Sequence, residues 1–120
     1  MTGAAINSRS NLEMLRDKMG DDIVLRLGGL INVDSSPNLR DCLQAILSEQ
    51  PLPRSVIVDL ASVAYVEISG IATLIEALKI ARHHKVRFCL QGLRGSVLRL
   101  FEVAGVLPLF DSDDPATQVS

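Results

Sequence analysis

The chain contains no tryptophan, one tyrosine and three phenylalanines in 120 residues. With so little aromatic surface, the core has to be built from Leu, Ile, Val and Ala. An apolar content of 48% supplies enough of them for one domain, and the length leaves little room for two. An excess of one charge sign is also missing. Twelve basic side chains stand against fourteen acidic ones, for a net charge of −2. Proteins that bind phosphate backbones carry a basic surplus, so nucleic acid is not expected as a partner. Cys42 and Cys89 lie far apart in apolar patterns, with no CxxC pair and no histidine cluster nearby. That is a poor metal site and a poor disulfide framework, and it reads as two reduced, buried thiols. No apolar run approaches bilayer length, so no direct membrane insertion is expected. Residues 1–11 are polar and small, without an apolar stretch of signal-peptide length. They read as a flexible tail on a cytoplasmic protein.

Catalytic patterns are missing as well. His83 and His84 are neighbours on an expected helix, so they point about 100° apart, and no third ligand stands near them. They read as a solvated helix end, and Arg94 and Arg99 as surface charges. No Ser/His/Asp or Cys/His set has a recognisable catalytic spacing. The chain is therefore not read as an enzyme, and no cofactor or metal is assigned.

What the sequence does contain is alternation of strand and helix patterns. Leu12 to Met19 reads as a ragged first strand, with a turn at Gly20-Asp21-Asp22 and a second strand at Ile23 to Leu27, together a hairpin. Gly28-Gly29 ends or bulges that strand. Ser36-Pro37 opens a helix to about Ser48, with Leu39, Leu43, Ile46 and Leu47 on one face, and Pro51 and Pro53 stop it. Val56 to Leu60 is a buried strand. A helix from Ser69 or Gly70 to about His84 follows, then a strand at Val86 to Leu90 and a turn at Gln91-Gly92-Leu93. A helix over 96–104 ends at Gly105, and Val106 to Phe110 reads as a short edge strand. Residues 111–120 form an acidic tail. The order β-β-α-β-α-β-α-β predicts an α/β fold, a mixed and mostly parallel sheet of about 4–5 strands opened by a hairpin.

The centre of the pattern is the passage from strand to helix at Glu67-Ile68-Ser69-Gly70. Ser69 can cap the helix through its hydroxyl. It also stands where free backbone N–H groups and the helix dipole would stabilise an added phosphate. Both readings stay open on the residues alone. Glu67 is either a partner contact or a solvated residue at the helix start. Asn32 and Asp34 fit a partner-facing loop and equally fit turn chemistry. Thr73, one turn beyond Ser69, reads first as a structural helix residue.

In this order the motifs resemble the STAS domain family, and within it the bacterial anti-sigma factor antagonists, over roughly residues 12–110. The resemblance rests on Gly29-Leu30-Ile31-Asn32-Val33 before Pro37, on Val58-Asp59-Leu60, on Glu67-Ile68-Ser69-Gly70, and on Gly105-Val106-Leu107-Pro108-Leu109-Phe110. The family's usual turn is Asp-Ser-Ser-Gly. Here Glu67 replaces the Asp, Ile68 replaces the first Ser, and Asn32 stands where an acidic residue is usual. The resemblance implies a STAS-like fold and a regulatory binding module. Its serine at position 69 would be phosphorylated by an anti-sigma factor that is itself a serine kinase, and a PP2C-type phosphatase would reverse the step. Glu67, Ile68, Gly70, Asn32, Asp34 and Thr73 would form the partner surface. A homodimer is admitted as a further assembly. The competing expectation is a non-catalytic STAS subunit of a stressosome-like scaffold or of a lipid-transport ATP-binding-cassette complex.

Overall fold

Residues 12–31 close into an antiparallel hairpin, β1 (Leu12–Met19) with β2 (Asp22–Ile31), paired from Met19↔Asp22 to Leu12↔Gly29. The computed structural model describes residues 11–111. The expected tails at 1–11 and 111–120 lie outside them except for Asn11, whose carbonyl accepts the Leu30 N–H at 3.0 Å, and Asp111, the last residue of a helix. After the hairpin come α1 (Ser36–Ile46), β3 (Ser55–Val66), α2 (Ile68–His83), β4 (Arg87–Gln91), α3 (Gly95–Ala104) and α4 (Leu107–Asp111). The four strands lie in the order β1-β2-β3-β4, and the pairs β2/β3 and β3/β4 are parallel. This is the mixed, mostly parallel α/β sheet expected from the sequence.

Both parallel connections step the same way across the sheet. Crossovers of one hand then place α1 and α2 on one face. The core lies between that face and the helices. Leu25, Leu27, Val56, Val58, Leu60 and Phe88 meet Leu39 and Leu43 of α1, Leu74 and Leu78 of α2, Phe101 of α3 and Phe110 of α4. All three phenylalanines gather here, with the Phe110 ring 6.4 Å from Phe88 and 6.3 Å from Phe101.

Three expectations change. Val106 to Phe110 is not an edge strand, because residues 107–111 form α4. Gly105, at φ +72°, ends α3 and redirects the chain. Pro108 then falls in a first helical turn, where its missing N–H is no loss, and Phe110 turns inward onto the other two rings. The strand expected at 56–60 runs on to Val66, with Val63 and Val66 still buried. The second strand neither ends nor bulges at Gly28-Gly29 but runs through to Ile31, and its partner β3 carries the extra residues, one between Asp59 and Ser62 and one at Ala64. The register of β2 against β3 shifts at Arg26/Gly28 and again at Gly29/Leu30. Gly29 has φ +97°, and a Cβ there would lie 2.3 Å from the Asn11 carbonyl oxygen, so no other residue fits that position without strain. These longer strands carry β2 and β3 to a common end, where Ile31 pairs with Val66. The helices α1 and α2 therefore start side by side.

Candidate functional site at the paired helix N-termini

The backbone of Glu67 joins the two strand ends, since its N–H donates to the Ile31 carbonyl at 2.8 Å. Its own carbonyl receives the Gly70 and Ile71 N–H groups at 2.9 and 3.3 Å. With φ −101° and ψ 168°, Glu67 is the cap residue of α2. Ser69 is therefore not the cap, contrary to one of its two expected roles. It lies within the first turn, half-buried. The first N–H groups of any helix have no intrahelical partner, and those of Ile68 and Ser69 are of this kind. The Glu67 side chain reaches the other way. Its Oε1 accepts the Val33 N–H at 3.2 Å, which ties the α2 start to the loop before α1.

That loop is ordered by its own polar groups. Asn32 Oδ1 accepts the Asp34 and Ser35 N–H groups at 3.0 and 3.1 Å, as turn chemistry would have it. Ser35 is fully buried, donates its hydroxyl to the Leu30 carbonyl at 2.9 Å and accepts the Asn32 N–H at 2.9 Å. Asp34 is exposed. The chain then enters α1 at Ser36, whose Oγ lies 2.7 Å from the Asn32 carbonyl oxygen and 3.2 Å from Ser69 Oγ. Two serine hydroxyls, one from each helix start, thus meet.

The remaining expected site residues divide by exposure. Ile68 is 60% exposed, next to Tyr65 at 52% and across from Val33 at 65%. Gly70 and Thr73 are buried. A Cβ on Gly70 would lie 2.5 Å from Ile31 Cγ2 and 2.9 Å from Val66 Cγ2. Its lack of a side chain is what lets α2 approach the sheet. Thr73 donates its hydroxyl back to the Ser69 carbonyl at 3.0 Å. A surface groove of 370 Å³ runs beside the turn, lined by Tyr65, Val66, Glu67, Ile68, Ser96 and Leu100. Ser36, Ser96, Leu100, Tyr65 and Val33 were not singled out from the sequence as site residues. Ser36 was visible there only as the serine before a helix-opening proline.

The resolved charge perturbations lie elsewhere. Asp22, at the amino ends of the parallel strands, is held below its usual 3.8, first by hydrogen bonds from Arg54 (3.1 and 3.0 Å), then by one from the Ser55 hydroxyl (2.8 Å). Burial pushes the Cys42 thiol above 9.0. Cys42 and Cys89 are half-buried, where the sequence pattern predicts burial. Among the described residues, no group of three or more His, Cys, Asp or Glu is placed to hold a metal, and no helix is long and apolar enough to cross a membrane. His83 and His84 are exposed, with rings 5.3 Å apart.

The family model described as Mlab, STAS domain matches residues 14–109. The chain belongs to the STAS domain family. Among curated relatives, the anti-sigma-B factor antagonist of Listeria monocytogenes is 23% identical over 97 residues, covering 81% of this chain and 83% of the relative. The crystal structure of an anti-sigma factor antagonist from Mycobacterium paratuberculosis superposes with a TM-score of 0.70 at 19% identity, over 82% of each chain. SpoIIAA of Bacillus, an anti-sigma factor antagonist, superposes in its unphosphorylated form with a TM-score of 0.69 at 17% identity, over 80% of this chain and 84% of SpoIIAA. Its phosphorylated form gives 0.64 at 13% identity, over 80% and 86%. These solved structures share the STAS fold described above.

Proposed function

We propose that this STAS domain is an anti-sigma factor antagonist. It binds a kinase-type anti-sigma factor, and phosphorylation of Ser69 switches it off. In the dephosphorylated state it occupies the anti-sigma factor and leaves a sigma factor free. The observation that carries the reading is the place of Ser69. It is a half-buried hydroxyl in the first turn of α2, beside the exposed side chains of Ile68, Tyr65 and Val33. The relatives named as anti-sigma factor antagonists, and SpoIIAA with its two phosphorylation forms, support it. The partner serine kinase supplies the catalytic groups and this chain supplies the acceptor, so the domain itself is not an enzyme. A PP2C-type phosphatase restores the free hydroxyl.

The physical basis is a change of charge at an apolar contact. A phosphoserine adds about −1.5 to −2 charges at neutral pH. At position 69 it would share an interface with Glu67 and Asp34, and like charges brought together there cost several kcal/mol. Each ~1.4 kcal/mol is a factor of ten in affinity. A micromolar complex would be released. Free N–H groups at the α2 start stabilise the phosphate when the domain is alone, so the penalty falls on the complex and not on the fold.

The test is capture from lysate of the source organism with three baits, the natural chain, Ser69→Ala and Ser69→Asp. Recovery of a kinase-type anti-sigma factor on Ala and its loss on Asp is expected. Equal recovery on both would refute the switch. Scaffold or transporter subunits recovered equally on all three baits would make the domain a structural subunit instead.

A further inference from the structure

We propose that Ser36 reads the phosphorylation state of Ser69, accepting the Ser69 proton in the free form and donating its own proton to the phosphoserine in the modified form. The inference rests on Ser69 being the phosphate acceptor, and it identifies the residue that passes that state to the neighbouring loop.

The starting point is the single proton on each hydroxyl. Ser36 Oγ lies 2.7 Å from the Asn32 carbonyl oxygen, which has no proton to offer, so the Ser36 proton is committed there. The 3.2 Å contact between the two serines must then be served by the other proton. Ser69 is the donor and Ser36 the acceptor. At 7% exposure, Ser36 has little water available as a substitute.

Phosphorylation removes that proton. The Ser69 oxygen attacks the γ-phosphorus of the kinase's nucleoside triphosphate. The bond from that phosphorus to the β–γ bridging oxygen breaks, the nucleoside diphosphate leaves, and the hydroxyl proton goes to a base of the kinase. Two oxygens would then face each other with lone pairs only. The conflict is relieved when the Ser36 hydroxyl rotates and donates to the phosphoserine. Nothing is orphaned by the rotation, because the Asn32 carbonyl keeps the Ser36 and Ser35 N–H groups at 2.8 and 3.2 Å, with the Ser35 hydroxyl a longer 3.4 Å away. The loop does lose its short side-chain bond on that carbonyl. This is the loop that presents Val33 and Asp34 and is tied to Glu67. A covalent change on α2 thereby alters the constraint on a second part of the proposed partner surface.

The experiment installs phosphoserine at position 69 during translation, in the natural chain and in Ser36→Ala and Ser36→Thr. The phosphate is followed by 31P chemical shift against pH, and the 32–36 amides by 15N–1H spectra. A hydrogen bond to the charged form lowers a pKa, so the second ionisation of the phosphate should rise by about half a unit in Ser36→Ala and return in Ser36→Thr. Modification should shift the 32–36 amides in the natural chain and shift them far less in Ser36→Ala. Ser36→Thr keeps the hydroxyl, so its rescue separates loss of the hydrogen bond from any loss of folding. Identical titrations with and without the Ser36 hydroxyl would overturn the proposal. No kinase is used, so a failure of the lysate capture would strike the switch and leave this result standing, and the reverse holds equally.

Discussion

Gly70→Ala should destabilise the domain, against the ordinary rule for helices. Replacing Gly by Ala in a helix gains up to about 1 kcal/mol from backbone entropy. Here the new methyl would lie 2.5 Å from Ile31 Cγ2 and 2.9 Å from Val66 Cγ2, whereas carbon atoms settle at about 3.5–4.0 Å. Ile31 is 0% exposed and Val66 4%, so neither side chain has space to withdraw into. The start of α2 has to lift away from the sheet. Overpacking of this kind costs about 1–3 kcal/mol, and two overlaps on β-branched residues put it at the upper end. The net loss should be about 1–2 kcal/mol. At ~4–8 °C per kcal/mol for a domain of this size, the melting temperature should fall by about 5–15 °C. Thermal melts of the natural chain, Gly70→Ala, Ile31→Ala and the double variant check the cause as well as the size. With Ile31 cut back to Ala the 2.5 Å overlap is gone and the 2.9 Å one on Val66 Cγ2 remains, so Gly70→Ala should cost clearly less in that background, a coupling of about 1 kcal/mol. Purely additive losses, or a Gly70→Ala variant as stable as the natural chain, would refute the reasoning. In that case Gly70 would be free for a direct role in partner contact.

Two further predictions concern the ends of the fold. The folded Asp22 carboxyl is held below its usual 3.8, chiefly by its hydrogen bonds from Arg54. Its contribution is therefore complete above that value and is lost as the pH falls through the depressed one. Asp22→Asn should be less stable than the natural chain at pH 7, and the gap should narrow only as the pH falls below 3.8 and through the depressed folded value; urea midpoints followed from pH 7 down to about pH 2 measure this, and a gap independent of pH would contradict it. Phe110→Ala should cost about 3 kcal/mol, the low end for such a change because α4 can relax, while Leu109→Ala, at a site 41% exposed, should stay within about 0.5 kcal/mol. Equal losses from the two variants in denaturant titrations would argue against α4 as the element that seats Phe110 on Phe88 and Phe101.

The sequence revealed most where one residue's neighbours in the chain are also its neighbours in space. The hairpin, the apolar face of α1 and the long α2 are local periodic patterns, and each formed where the pattern lies. Val106 to Phe110 misled because five mostly apolar residues have no period of their own. Only the two distant rings that receive Phe110 make that segment a helix. The extension of β3 through Ala61 to Val66 was hidden by its small residues, Ala61, Ser62 and Ala64, which satisfy strand and loop alike. Its partner along β2 decides the matter.

The site was legible by the same measure. Glu67 to Gly70 is contiguous, and the strand-to-helix passage could be placed from the pattern alone. The role of Gly70 could not, since the atoms that require a glycine belong to Ile31 and Val66. The Ser36–Ser69 contact is harder still, because it joins residues 33 apart in the chain. It follows nevertheless from topology. Parallel neighbours β2 and β3 each feed a helix at the carboxyl end, so the two helix N-termini must emerge together. The pairing of Ile31 with Val66 then sets which residue of α1 meets which residue of α2. The two extra residues of β3, one between Asp59 and Ser62 and one at Ala64, fix that pairing, since each shifts the register of β3 against β2. Loss of either extra residue from β3 would change which residue stands opposite Ile31 and move Ser36 away from Ser69. The extra residues of β3, opposite the Gly28-Gly29 stretch of β2, are therefore part of what sets the chemistry of the proposed acceptor.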